Sequence, residues 1–271
     1  MSTTREQSEF RPVKSTARTL EVLEELAAAP AALTLGEIAR ALSIPKSSLH
    51  GILRTMEHYG WVESDGTAHR FRIGLRALQA GAAYADTDDV VALTADTLDW
   101  LVDVLDETVH LGRLDGTDII YIAKRETRQP LRMYSSVGRR LPAYGTALGK
   151  SLLAWQPEER LGDHVPPVLE PLTENTITSH ERLRKELERT RERGYAIDDQ
   201  ESNEGVCCAG VALPTGNPPQ DAISCSVPAM RFGGPRTEEI VERLLEAVER
   251  VSAALRVHGH RTAVSHRETP G

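Results

Sequence analysis

Lys46, Ser47, Ser48, His50, Gly51 and Arg54 follow Pro45 closely, and their spacing puts cations and hydroxyls on one side of a helix. Hydroxyls and a guanidinium near a helix N-terminus suit phosphate oxygens and base edges in a DNA major groove. The other reactive side chains are three thiols, Cys207, Cys208 and Cys225. They show no CxxC spacing, which argues against a disulfide scaffold or a structural zinc ribbon. A reactive cysteine needs a nearby base or cation, and the residues flanking these thiols supply neither. A thiol-based redox sensor or a thiol enzyme built on these cysteines is therefore the alternative reading, and no catalytic residue is expected. No histidine pair has metal-ligand spacing, so no metal and no cofactor is expected.

The elements that must position the first group are legible locally. Ser15 to Ala29 reads as a helix, with Leu20, Leu23 and Ala27 on one stripe and Pro30 stopping it. Thr34 is placed to cap a short helix over 35–42, and Glu37 completes a capping box. Ser43-Ile44-Pro45 breaks that helix, and a second runs to about Tyr59. Across the two helices and the turn between them, Ile38, Ala39, Leu42, Ile44, Leu49, Ile52 and Leu53 are the apolar positions. This is a helix-turn-helix pattern, with Ser43 where glycine is common. Gly60 to Glu63 and Arg70 to Ile73, around Ser64-Asp65-Gly66, read as a wing whose Phe71 and Ile73 point inward and whose Arg70 and Arg72 point outward. A protein–protein module is the competing interpretation. The exposed cations and hydroxyls favour DNA.

Charge is consistent with that division. The 271 residues carry 32 Lys and Arg against 40 Asp and Glu, a net charge of −8. Residues 1–80 hold 10 basic and 9 acidic side chains, net +1, which leaves −9 on the remainder. A uniformly basic coat is excluded, but a locally tuned nucleic-acid site is not. Aromatics are only 4%, too few for a platform that stacks single-stranded bases. The first residues, MSTTREQSEF, lack the apolar core of a signal peptide, and no stretch approaches the length of a membrane span. A cytoplasmic protein is expected.

Further along, an alanine-rich helix from Gly74 to Ala85 with Leu75, Leu78 and Ala82 on one stripe reads as a connector or subunit contact. Val90 to Leu105 is amphipathic, and Thr108–Leu114 with Ile119–Ala123 forms a hairpin around Asp115-Gly116. Leu131–Tyr134 is a strand candidate, 141–145 a loop, and Thr146 opens a helix through Ala154. Thr178 and Glu181 suggest a second capping box for a helix ending at Gly194. Strands are expected at Tyr195–Asp198, Val206–Leu213 and Ala222–Val227, followed by a long helix from Thr237 to Val257. Strands bracketed by helices make this an α+β chain. The organisation expected is a disordered tail over 1–12, a winged helix-turn-helix over 13–75, a linker helix over 76–88, a ligand domain over 89–258 and a flexible tail over 259–271.

In its order of motifs the chain resembles the IclR (isocitrate lyase regulator) family of bacterial transcription factors. The resemblance is carried by Lys14-Ser15 through Arg18-Thr19-Leu20 to Gly60-Trp61-Val62, by Leu141-Pro142 through Thr146-Ala147-Leu148-Gly149-Lys150, and by Arg193-Gly194-Tyr195 through Asp198, Glu201 and Cys208 to Ser224. Ala209 and Pro214-Thr215 depart from the family pattern. The resemblance implies a winged-helix head and a GAF-like effector-binding domain, assembled as a dimer or a dimer of dimers. With the residue reading, it places Lys14, Arg18, Thr34, Lys46, Ser47, Ser48, His50, Gly51, Arg54, Arg70 and Arg72 at double-stranded operator DNA. It places Thr146, Ala147, Leu148, Asp198, Cys208, Ser224 and Ser226 around a small-molecule effector. A helix start that can receive an anion and two hydroxyls on one strand face suit a carboxylate, so catabolic genes answering to a small organic acid are the expected targets. The plain alternatives are that Thr146 only caps its helix, the serines only satisfy backbone groups, and Asp198 only bonds a turn.

Overall fold

The computed structural model describes residues 12–66, 69–131 and 135–265, with the backbone alone over 258–265. The chain divides into two compact units, 1–87 and 88–271. The first holds α1 (Lys14–Ala28), β1 (Leu33–Thr34), α2 (Leu35–Ala41), α3 (Lys46–His58), β2 (Val62–Ser64), β3 (Arg70–Ile73) and α4 (Leu75–Thr87). Its strands pair antiparallel in the order β1-β3-β2. Thr34 closes the expected box: its Oγ1 accepts from Glu37 N at 3.2 Å, and its own N–H donates to Glu37 Oε2 at 2.7 Å. Such a cap contributes about 1 kcal/mol. The turn to α3 needs a left-handed residue, and Ser43 supplies it with φ +51°.

Leu49, Leu53 and Met56 on the inner face of α3 pack with Ile38, Ala39 and Ile44, and Phe71 joins them from the wing. Burying each large side chain contributes about 1.5–3 kcal/mol, so this inner row fixes which side of α3 is left outside. The stripe on α1 differs from expectation. Val22 and Leu26 are the buried pair, whereas Leu20 is 55% exposed. Both i, i+4 stripes are apolar, and the neighbouring helices select the one bearing the valine. The two-residue strand β1 was too short to carry a sequence pattern.

The second unit holds α5 (Asp89–Leu105), β4 (Thr108–Asp115), β5 (Asp118–Arg125), β6 (Arg140–Pro142), α6 (Ala147–Leu153), α7 (Glu158–His164), α8 (His180–Arg193), β7 (Ala196–Asp199), β8 (Val206–Ala212), β9 (Asp221–Pro228) and α9 (Gly234–Ser265). One antiparallel sheet runs β6-β5-β4-β9-β8-β7. Alternation sends Val109, Leu111, Ile223, Cys225 and Val227 to one face, where Leu98, Leu101, Ile240 and Leu244 of α5 and α9 cover them. The other face carries Leu114, Ile119, Tyr121 and Ala222 beneath Leu148 and Leu152 of α6 and Leu183 and Leu187 of α8. Asp88 caps α5 through Val90 and Val91, and Arg113 of β4 bridges it to Asp221.

Four local expectations are corrected. The cap of α8 is Ser179, which accepts from Arg182 N, and not Thr178, so the expected box with Glu181 is out of register. Leu141 and Pro142, expected as part of a loop over 141–145, belong to the edge strand β6. Proline is tolerated at such an edge, where no ladder bond is lost. The last helix begins three residues earlier than Thr237, with Pro235 in its first turn, where its missing N–H costs nothing. It also continues to Ser265, through the segment expected as a tail, because no proline interrupts it. Residues 132–134 of the strand candidate at Leu131–Tyr134 lie outside the described residues, as do residues 1–11 of the tail expected over 1–12 and the end beyond 265.

Candidate functional site

Lys46, Ser47, Ser48, His50, Gly51 and Arg54 are all exposed on α3, opposite its buried leucines. Ser47, His50, Gly51 and Arg54 recur at i, i+3, i+4 and i+7, which is one helical face. Lys14 is exposed at the first turn of α1, and Arg18 is half-buried one turn later. The wing arginines are exposed but engaged: Arg70 Nη1 donates to Ala32 O at 2.8 Å, and Arg72 donates through Nε and Nη2 to Glu63. Thr34 differs from the rest, because its hydroxyl is taken up by the capping box.

In the second unit, strand pairing assembles a polar row on the face that α6 covers. Thr108, Ser226, Cys208 and Asp198 stand in register across β4, β9, β8 and β7, with His110 and Ser224 in the next rank. His110 is fully buried and stacked on Tyr121, centroids 4.4 Å apart. Its Nε2 lies 2.7 Å from Ser135 Oγ and its Nδ1 3.4 Å from Ser226 Oγ, and Ser226 is 3.3 Å from Cys208 Sγ. Burial holds the His110 pKa down at about 3, helped by the charges of Lys124 and Arg139. The ring is therefore neutral, with one nitrogen donating and the other accepting. His110 and Ser135 were not expected in this site. Alternation on β4 opposite the two serines is the signal for the histidine, and nothing local marks Ser135.

Ser224, Ser226, Cys208, Thr146, Ala147 and Leu148 are all buried. Gly210 explains how closely α6 sits on this face: a Cβ there would lie 2.8 Å from the carbonyl carbon of Ala147. Thr146 Oγ1 accepts from Gly149 N at 2.9 Å, so it caps α6. Asp198 is likewise committed. Its Oδ1 accepts from the N–H groups of Glu201 and Ser202, and its Oδ2 from Ser202 Oγ at 2.6 Å. Beside it, fully buried Lys150 of α6 is paired with Glu201. Burial pushes both acids up, and the lysine charge opposes the rise.

The thiols are free and buried. Cys207 and Cys208 are consecutive on β8 and point to opposite faces. Burial raises the Cys207 thiol to about 12, with its hydrogen bond to Asp199 adding to the rise, and burial raises Cys208 and Cys225 as well. Thiols held protonated are poor nucleophiles. No group of three or more His, Cys, Asp or Glu side chains suited to a metal occurs among the described residues.

Two family profiles match the two units: the IclR helix-turn-helix domain over residues 15–66, and the bacterial transcriptional regulator IclR C-terminal domain over 82–253. The chain belongs to the IclR family. It is a transcriptional regulator with a DNA-binding head and an effector-binding domain. It is 35% identical to the HTH-type transcriptional regulator KdgR of Escherichia coli over 83% of this chain and 86% of that one. It is 30% identical to the transcriptional repressor IclR of the same species, over 89% and 90%. A solved IclR-type regulator from Alicyclobacillus acidocaldarius superposes with a TM-score of 0.79 at 29% identity, covering 90% of this chain and 99% of that one. Among the described residues no helix is long and apolar enough to cross a membrane.

Proposed function

We propose that this IclR-family regulator acts in the cytoplasm, as a dimer or a dimer of dimers, and controls catabolic genes in response to a small organic acid. The observation that carries the reading is the outward face of α3, where Ser47, His50, Gly51 and Arg54 stand clear of a fully packed inner row. In this reading α3 enters the major groove of operator DNA, with Arg54 at a base edge and Lys46, Ser47 and Ser48 on phosphates. Lys14, Arg18 and the wing arginines Arg70 and Arg72 add backbone contacts. Thr34 acts by holding α2 in place.

The effector site of this reading is the buried row under α6, with Ser224, Ser226 and Cys208 facing the ligand and Ala147 and Leu148 as its lid. His110 belongs with them. Burial is the main cause of the low His110 pKa, and the nearby positive charges of Lys124 and Arg139 add to it; those charges suit an anionic ligand, hence a carboxylate. Because the row is closed, binding must shift the population between a closed and an opened arrangement. Only a ligand with unequal affinity for the two can change how the heads of a dimer meet half-sites about 34 Å apart. The protonated thiols make redox sensing and thiol catalysis the weaker reading.

Two variants test this. Arg54→Ala is expected to weaken operator binding by about 1–3 kcal/mol, roughly five- to 150-fold, at unchanged melting temperature. Undiminished binding in a gel-shift titration would move the contact face elsewhere. Ser224→Ala with Ser226→Ala is expected to raise the dissociation constant of the carboxylate that most stabilises the wild type in a thermal-shift panel. DNA affinity without ligand should stay constant; a parallel fall would make these serines structural.

A further inference from the structure

Glycine is the least favourable residue for a helix interior after proline, so a helical glycine calls for a reason. Several glycines here have one inside the molecule. A Cβ on Gly149 of α6 would lie 2.0 Å from Ala143 O, and one on Gly210 would strike the backbone of Ala147. Gly51 has none among the described residues: it lies in the middle of α3, it is exposed, and a Cβ added there meets nothing of them within 4 Å. Its φ is not in the left-handed region, so no turn requires it either. Gly81 and Gly162 have equally open surroundings in their own helices, so open space alone assigns nothing. What distinguishes Gly51 is its place. It is the centre of the stripe Ser47, His50, Gly51 and Arg54, so the surface there is a notch one side chain deep, walled by longer residues.

We propose that Gly51 is the point of closest approach between α3 and operator DNA, where the bare backbone lies in van der Waals contact with base-pair edges. The inference rests on the assignment of α3 to the major groove and adds a specificity-determining position to it. A side chain at the notch would hold the helix off the bases, lengthening the contacts that Ser47 and Arg54 make on either side. The cation and hydroxyls on that face reach outward past the notch, so nonspecific attraction to phosphates survives while base readout suffers. The glycine thus lowers the intrinsic stability of α3, and duplex recognition gains from that same glycine.

The test uses the full-length protein and a duplex that the wild type selects from a randomised double-stranded library. Gly51→Ala is expected to raise the melting temperature by several degrees, because alanine is the better helix former and meets no neighbour. The same variant is expected to bind the selected duplex about tenfold or more weakly, while its binding to a scrambled duplex changes little. Gly162→Ala in α7 serves as the control, with a similar stability gain and unaltered DNA affinity. Undiminished affinity of Gly51→Ala for the selected duplex would overturn the inference, as would equal losses in both variants. Failure of the wild type to select any duplex would instead remove the groove assignment beneath it, an outcome the first measurement distinguishes.

Discussion

Lys150→Met is expected to destabilise the C-terminal unit by about 3–5 kcal/mol, the cost of breaking a buried ion pair from one side. Lys150 is fully buried in α6, and its ammonium is paired with Glu201 Oε1. Glu201 Oε2 has no hydrogen-bond partner among the described residues, and Asp198 lies close enough to feel the same charge. Removing the cation leaves Glu201 buried without its ion partner and takes a supporting charge from Asp198, so the acids must take up protons or the loop between β7 and β8 must open. Methionine keeps most of the lysine volume, so the loss measured in urea unfolding reports charge more than a cavity. The double variant Lys150→Met with Glu201→Met should recover most of the deficit, since apolar replacement of both partners is close to neutral. A double variant as unstable as the single one would show that packing, and not the ion pair, is what Lys150 supplies.

Acid sensitivity is the second large effect, and it traces to His110. In the unfolded chain this imidazole takes a proton near pH 6.5, whereas in the folded protein burial, with Lys124 and Arg139, defers protonation to about pH 3. Between those values the unfolded state binds more protons. Stability therefore falls as pH falls from about 6.5 to about 3, with a limiting slope of about 1.4 kcal/mol per pH unit. The groups facing the ring are Tyr121, Ser135 and Ser226, with Lys124, Arg139 and Glu126 acting through their charge. His110→Gln cannot titrate, so its unfolding free energy should decline less steeply over this window. Carboxylates contribute equally to both proteins and cancel in the difference. Superimposable stability curves for wild type and variant from pH 7 to pH 4 would refute the assignment.

The head was largely readable in the sequence because its determinants are local. A capping box spans four residues, a proline fixes a helix start, and the inner stripe of α3 follows from helical period alone. The misjudged details are also local but degenerate. Thr178 and Ser179 are both competent caps, and α1 offers two apolar stripes about 100° apart. Neighbouring structure broke each tie. In the second unit, the existence of most helices and strands was legible, and Ser224 and Ser226 were correctly seen to share a face of one strand. Their company was not legible: Ser135 comes from a connecting segment, and Lys150 and Glu201 meet across 51 residues of sequence.

The sequence by itself determined the family, the two-part organisation, the exposed face of α3 and the types of side chain available for a ligand. Only the tertiary structure decided that Thr146 and Asp198 spend their polar atoms on capping and loop closure. It also decided that a buried neutral histidine joins the serine row, and that Gly51 answers to no neighbour among the described residues. The physical reason is range. Helical period and capping act over a few residues and are written in consecutive letters, whereas strand register and side-chain satisfaction depend on which distant segments pair.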